Sequence, residues 1–86
     1  MYWTYIVECS DKTYYTGYSS DVYRRINEHN SGKGAKYTKT RRPVKLVYTM
    51  SFTTKGQALS EELRIKRITR KQKEALVKEY GKLHSL

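Results

Sequence analysis

Only one cysteine, Cys9, occurs in the 86 residues, so no internal disulfide can staple the fold, and a reducing cytoplasm is the expected setting. Proline is scarcer than in an average chain, with Pro43 alone, and no linker or internal repeat divides the sequence. No run approaches the roughly 18–20 apolar residues of a membrane span. The N-terminus has neither the basic nor the apolar region of a secretory leader. Acids are few as well. Eight Asp and Glu stand against eighteen Lys and Arg, leaving a net charge of +10. That balance favours a polyanion as partner, with nucleic acid ahead of an anionic membrane surface. Phenylalanine is nearly absent, yet nine tyrosines are present. Phenols can stack on bases and bond to phosphates, which phenylalanine can do only in part. A chain this short must build one domain, 1–86, around one shared apolar layer with its core in about 2–77.

Local patterns give an element order. Tyr2 to Glu8 is rich in β-branched and aromatic residues and is predicted as a strand. Ser10-Asp11-Lys12 is turn chemistry, and Thr13 to Tyr18 is predicted as the strand that returns. With a two-residue period, Trp3, Tyr5 and Val7 share a face, as do Thr13, Tyr15 and Gly17. Any even register brings Tyr5 and Tyr15 to one side of the hairpin, and an odd one separates them. Ser19-Ser20-Asp21 offers N-caps for a helix to about Asn30, with Val22 and Ile26 as anchors. Residues 31–43 are predicted as a long loop. Val44, Leu46, Tyr48, Met50 and Phe52 then alternate as one face of a third strand. Thr53 or Thr54 caps a helix over 55–68, and Thr69-x-x-Gln72 is a capping box opening a last helix to about Tyr80. The expected fold is α/β (α+β), β-β-α-β-α-α, with a small antiparallel three-stranded sheet flanked by helices.

Several residues could carry chemistry. Ala58, Leu59, Leu63 and Ile65 define the expected apolar arc of the third-strand helix, with Glu62 inside the arc and Glu61 outside it. A carboxylate on a buried face needs a partner. Lys66, four residues on, supplies a structural one, and a divalent metal ion is the functional alternative. Asp21, Arg25 and His29 follow at four-residue steps, so Asp21–Arg25 is an expected surface ion pair and His29 a surface or capping residue unless the fold recruits it. The loop holds Lys33, Lys36, Lys39, Arg41 and Arg42 with no acid, a composition suited to contacting phosphate rather than reading bases.

Taken in order, Trp3-Thr4-Tyr5, Tyr15-Thr16-Gly17, Arg25, His29 and Glu62 resemble the motifs of the GIY-YIG nuclease domain. Gly32-Lys33-Gly34-Ala35-Lys36 and the stretch around Thr69-Arg70-Lys71-Gln72-Lys73 resemble its small single-domain YhbQ-like branch. Trp3 stands where the first glycine would be, and Thr4 and Thr16 where the isoleucines would be. The resemblance implies an endonuclease-like domain that hydrolyses phosphodiester bonds in DNA ahead of RNA. A non-catalytic nucleic-acid-binding module with the same fold is the alternative. It implies Mg2+ or Mn2+ held by Glu62, Arg25 against phosphoryl charge, Tyr5 or Tyr15 acting on the attacking water, and His29 orienting a tyrosine or relaying a proton.

Overall fold

The computed structural model describes residues 1–84. Three strands form an antiparallel sheet in the order β2-β1-β3, with β1 at Tyr2–Glu8, β2 at Tyr14–Ser19 and β3 at Lys45–Phe52. The β1–β2 turn rests on Asp11. Its carboxylate accepts the Thr13 N–H at 3.1 Å and the Thr13 hydroxyl at 2.6 Å, while Lys12 takes a left-handed φ of 69°. Helix α1 covers Val22–Asn30, and Asp21 caps it by accepting the Arg24 N–H at 3.1 Å. Helix α4, Arg70–His84, opens on the expected box of Thr69 with Gln72, and α3, Lys55–Arg67, is capped by Thr54, which also forms a box with Gln57. The last helix runs a turn beyond the expected stop at Tyr80.

Strand β1 is buried through Thr4, Tyr5, Ile6 and Val7 because both of its faces are covered. On one face Tyr5, Val7, Cys9, Val22 and Val44 form a core with Trp3, Tyr15, Ile26 and Leu46 packed against it. On the other, Ile6, Tyr48 and Ile65 gather Tyr14, Val47, Leu76, Val77 and Tyr80. Cys9 is thus a buried strand-end residue.

Three expectations need correction. The uniform alternation of β3 fails, because a register shift sits between Ile6 and Val7. Ile6 faces Tyr48 and Val7 faces Leu46, leaving Val47 as the extra residue. Val44 and Leu46 therefore enter one core, and Val47 and Tyr48 the other. The 31–43 segment is not all loop, since Lys36–Lys39 makes one helical turn, α2, closed by the Lys39 N–H donating to the Ala35 carbonyl. The arc of α3 is rotated. Ala58 and Ile65 are buried, but Leu59 and Leu63 are 41% and 49% exposed, and the inward stripe runs Ala58, Glu61, Glu62, Ile65. The reason is tertiary: the Thr4 hydroxyl donates to the Ala58 carbonyl at 2.7 Å and pins that side of the helix to β1.

Candidate active site

Register decides the first question. Tyr5 pairs with Gly17 and Val7 with Tyr15, an even offset, so Tyr5 and Tyr15 lie on one face. The Tyr5 ring crosses Gly17 so closely that a Cβ there would overlap its hydroxyl and ring carbon atoms. Glycine at position 17 is therefore a steric requirement of the tyrosine, beyond any turn preference.

His29 stands at the centre of what this face assembles. It is fully buried, contrary to the surface position expected from helix spacing. Its Nε2 lies 2.7 Å from the Tyr5 hydroxyl and its Nδ1 2.8 Å from the Thr38 hydroxyl. Thr38, itself fully buried, can donate to the Ala35 carbonyl at 3.0 Å. Tyr15 sets its ring edge-on to the imidazole at 5.4 Å and stacks on Tyr37 at 6.0 Å. Gly34 closes the cage, since a Cβ there would strike the imidazole. The single turn of α2 exists at this place to deliver Thr38 to Nδ1.

Electrostatics follow from burial. Desolvation, set against a smaller downward pull from the Arg25 guanidinium, pushes the Tyr5 phenol up to about 12. Tyr5 is thus a neutral hydroxyl at physiological pH. Burial, with Arg25 adding repulsion, lowers the His29 pKa below its ordinary value, so the imidazole is neutral too. Two proton arrangements satisfy the chain. In one, Nε2–H donates to Tyr5 and Thr38 donates to Nδ1. In the other, Tyr5 donates to Nε2, Nδ1–H donates to Thr38, and Thr38 donates to Ala35, with loss of the bond that the Ala35 N–H makes to Nδ1 at 3.4 Å. The second leaves Tyr5 able to take a proton from outside while passing its own to His29.

Arg25 is not paired with Asp21 as expected. Asp21 is occupied as the cap, and Arg25 Nη1 instead donates to Glu28 at 3.0 Å. That bond raises the Arg25 pKa and keeps the guanidinium charged beside Tyr5. Glu62 contributes to the field at Tyr5 from α3, and its side chain is 18% exposed. One of its oxygens meets Lys66 Nζ at 3.2 Å, the structural partner that sequence spacing offered. Among the described residues no group of three His, Cys, Asp or Glu could hold a metal ion. The residues present do not suit a zinc-type site, and Glu62 is the carboxylate that would hold a hard cation.

The basic segment divides in two. Lys33, Lys36 and Lys39 are exposed. Arg41 and Arg42 work within the fold. Arg41 reaches Asp11 at 3.0 Å and the Tyr37 carbonyl at 2.9 Å, with its guanidinium 4.0 Å above the Tyr37 ring. Arg42 donates to the Lys39 and Asn30 carbonyls. Thr38, Tyr37, Glu28 and Gly34 escaped sequence reasoning. The one available signal was an uncharged Tyr37-Thr38 pair set among cations.

The GIY-YIG catalytic domain family matches residues 1–75. The chain belongs to the GIY-YIG family. Within that family it is similar to small single-domain UPF0213 proteins. The protein VNG_2274C of Halobacterium salinarum is 58% identical over 76 residues, covering 88% of this chain and 99% of that one. YazA of Bacillus subtilis is 49% identical over 75 residues, covering 87% of this chain and 76% of its own. The solution structure of EF2693 from E. faecalis superposes with a TM-score of 0.62 at 41% identity, covering 99% of this chain and 91% of the other. That of BH0048 from Bacillus halodurans gives 0.59 at 49% identity, with 91% and 84% covered. The two candidate triads, Trp3-Thr4-Tyr5 and Tyr15-Thr16-Gly17, lie on adjacent strands. No helix among the described residues is long and apolar enough to cross a membrane.

Proposed function

We propose that this protein is a divalent-metal-dependent endonuclease that hydrolyses phosphodiester bonds, in DNA ahead of RNA, and that it works in the cytoplasm. The observation that carries the reading is the buried Tyr5–His29–Thr38 chain beside a charged Arg25. A structural core would gain nothing from burying a titratable histidine against a phenol when an apolar pair could fill the space.

The Tyr5 hydroxyl accepts a proton from the attacking water as it gives its own to His29 Nε2. Water loses one proton, Tyr5 is unchanged, and His29 becomes an imidazolium held by Thr38 through Nδ1. This route avoids the phenolate, which a pKa of about 12 makes a rare species. Tyr15 holds the imidazole edge-on and fixes its plane. Arg25 neutralises charge on the phosphoryl oxygens through a planar fork that lysine lacks. Glu62 would hold Mg2+ or Mn2+, which when bound supplies Lewis-acid stabilisation of the departing oxygen. Lys33, Lys36 and Lys39 hold the backbone of the substrate.

A second reading rests on one observation, the Glu62–Lys66 bond at 3.2 Å. If it persists with substrate present, the domain binds nucleic acid without cutting it. Labelled branched, single-stranded and duplex DNA, with matching RNA, should be incubated in Mg2+ or Mn2+ with wild type, Glu62→Ala and Arg25→Ala. Metal-dependent cutting that both variants lose is the expected outcome. Salt-sensitive binding with no cutting of any substrate would replace the nuclease with the binding module.

A further inference from the structure

The turn between β1 and β2 and the segment that follows α1 are fastened together at Arg41. Its Nε donates to Asp11 at 3.0 Å, its Nη1 to the Tyr37 carbonyl at 2.9 Å, and its own carbonyl accepts the Ser10 N–H at 2.9 Å. Main-chain and side-chain atoms of Arg41 are thus both tied to the turn that joins the strands bearing Tyr5 and Tyr15. Two of its N–H groups are used inside the protein, whereas Lys33, Lys36 and Lys39 stay exposed and available to phosphate.

From Arg41 a column of planar groups leads inward to the buried histidine. The guanidinium carbon lies 4.0 Å from the centre of the Tyr37 ring. Tyr37 stacks on Tyr15 with centroids 6.0 Å apart and planes 23° off parallel. Tyr15 in turn meets His29 edgewise, at 5.4 Å and 66°. Among the described residues neither the Tyr15 nor the Tyr37 hydroxyl makes a hydrogen bond, so ring packing alone orients both. Strand β2 is an edge strand, with no neighbouring strand to hold the Tyr15 side chain. What limits Tyr15 on its outer side is the ring of Tyr37, and what limits Tyr37 is Arg41.

We propose that Tyr37 is a positioning residue of the site. Clamped by Arg41 to the β1–β2 turn, it holds the Tyr15 ring against His29 and so keeps the imidazole in the plane from which Nε2 meets Tyr5. Arg41 is the outer half of the same device, and its duty is to Tyr37 and Asp11 rather than to phosphate. Neither residue touches the reacting groups. The inference rests on the reading of Tyr5 and His29 as the pair that takes the proton from water.

The chain has two histidines, so a His84→Gln background leaves His29 as the sole source of imidazole NMR signals in the full-length protein. That readout needs no cutting. Tyr37→Leu should displace the His29 ring signals, and Tyr37→Phe should leave them in place, since the ring face and not the hydroxyl does the holding. Arg41→Met, which keeps every ring, should displace them in the same direction. In a Tyr15→Leu background, Tyr37→Leu should add no further displacement, because its effect passes through Tyr15. In single-turnover cleavage, Tyr37→Leu and Arg41→Met should each lower the saturated rate about ten-fold with substrate affinity held within about two-fold, and Tyr37→Phe should keep both. The salt dependence of binding should be unchanged in Arg41→Met, where a lost phosphate contact would flatten its slope by about 1. Unmoved His29 signals in both Tyr37→Leu and Arg41→Met overturn the proposal. So does further displacement in the Tyr15→Leu background, which would make α2 and Thr38 the route. A loss confined to affinity overturns it as well, since Tyr37 would then be a substrate contact. The nuclease reading fails separately: the expected His29 shifts without cutting remove the nuclease alone, and cutting with unmoved His29 signals removes the clamp alone.

Discussion

Thr4 and Ile6 project to one side of β1 and Tyr5 and Val7 to the other, and the two sides are packed by different rules. Against the first, α3 and α4 lay Ile65, Leu76 and Val77 over Ile6 and Tyr48, a dry interface that the Thr4–Ala58 bond locks in place. Against the second, α1 and α2 bring a histidine, a threonine and an arginine to a tyrosine. The dry side can be optimised for stability because nothing must approach it. The polar side has its buried side-chain atoms hydrogen-bonded, so the chemistry is held without leaving a buried polar atom unpaired. A domain of this size puts its apolar packing on one face of a single strand and its buried polar chain on the other, with Glu62 the candidate site residue that comes from a helix of the dry side.

That division predicts opposite responses to substitution. The largest effect should come from Arg25→Lys. A planar fork becomes a point charge, and single-turnover cleavage is expected to fall about 10²–10³-fold with urea stability changed by less than about 0.5 kcal/mol. Should the rate hold while stability drops, Arg25 belongs to packing and the division is wrong. Next comes Ile6→Ala on the dry face, expected to cost about 2–4 kcal/mol in urea unfolding while the rate per folded molecule stays at wild type.

A smaller effect is expected at Thr38→Val, which removes one hydrogen bond from the imidazole at about 1–2 kcal/mol and slows cleavage by about ten-fold. A pH profile sharpens the same point. His29 must be neutral to accept a proton, and its pKa is lowered, so cleavage should be sustained below the ordinary histidine value of about 6.5 and fail only at lower pH. The same shift acts on stability. In the unfolded chain His29 takes its proton at a higher pH than in the folded one, so its contribution is present above about pH 6.5 and is lost as pH falls through the folded value. Unfolding curves of wild type and His29→Gln should therefore converge at acid pH. The smallest effect should be that of Lys33→Ala, Lys36→Ala and Lys39→Ala combined. Binding would weaken uniformly over sequences, and the slope of log affinity against log salt would flatten by about 2–3. An unchanged slope would mean that the segment serves only to deliver Thr38.

Much of the architecture was legible because its causes are local. The β-branched and aromatic content of Tyr2–Glu8, the turn at Asp11, and the caps at Asp21, Thr54 and Thr69 all act within a few residues, and each stands where the sequence puts it. The family was legible from the pattern of Tyr5, Tyr15-Thr16-Gly17, Arg25, His29 and Glu62, a resemblance that the family match bears out. What sequence alone could not decide involves partners far apart in the chain. Helical spacing offered Asp21 to Arg25, but the cap claimed Asp21 first and Glu28 took its place. Leu59 and Leu63 outweigh Ala58 in hydrophobicity, yet α3 turned its small residue inward, because close approach to β1 requires a small side chain and a free carbonyl at that point.

By itself the sequence determined the number of strands and their order along the chain, the caps and the basic charge, and left the offset of Tyr5 and Tyr15 to the pairing of β1 with β2. Only the tertiary structure decided that β3 carries a bulge splitting its apolar residues between two cores. It alone buried His29 between Tyr5 and Thr38, residues 24 and 9 positions away. Propensity and period are summed over neighbours, whereas a bulge, a buried histidine and the rotation of a helix are set by which distant side chains must share one small volume.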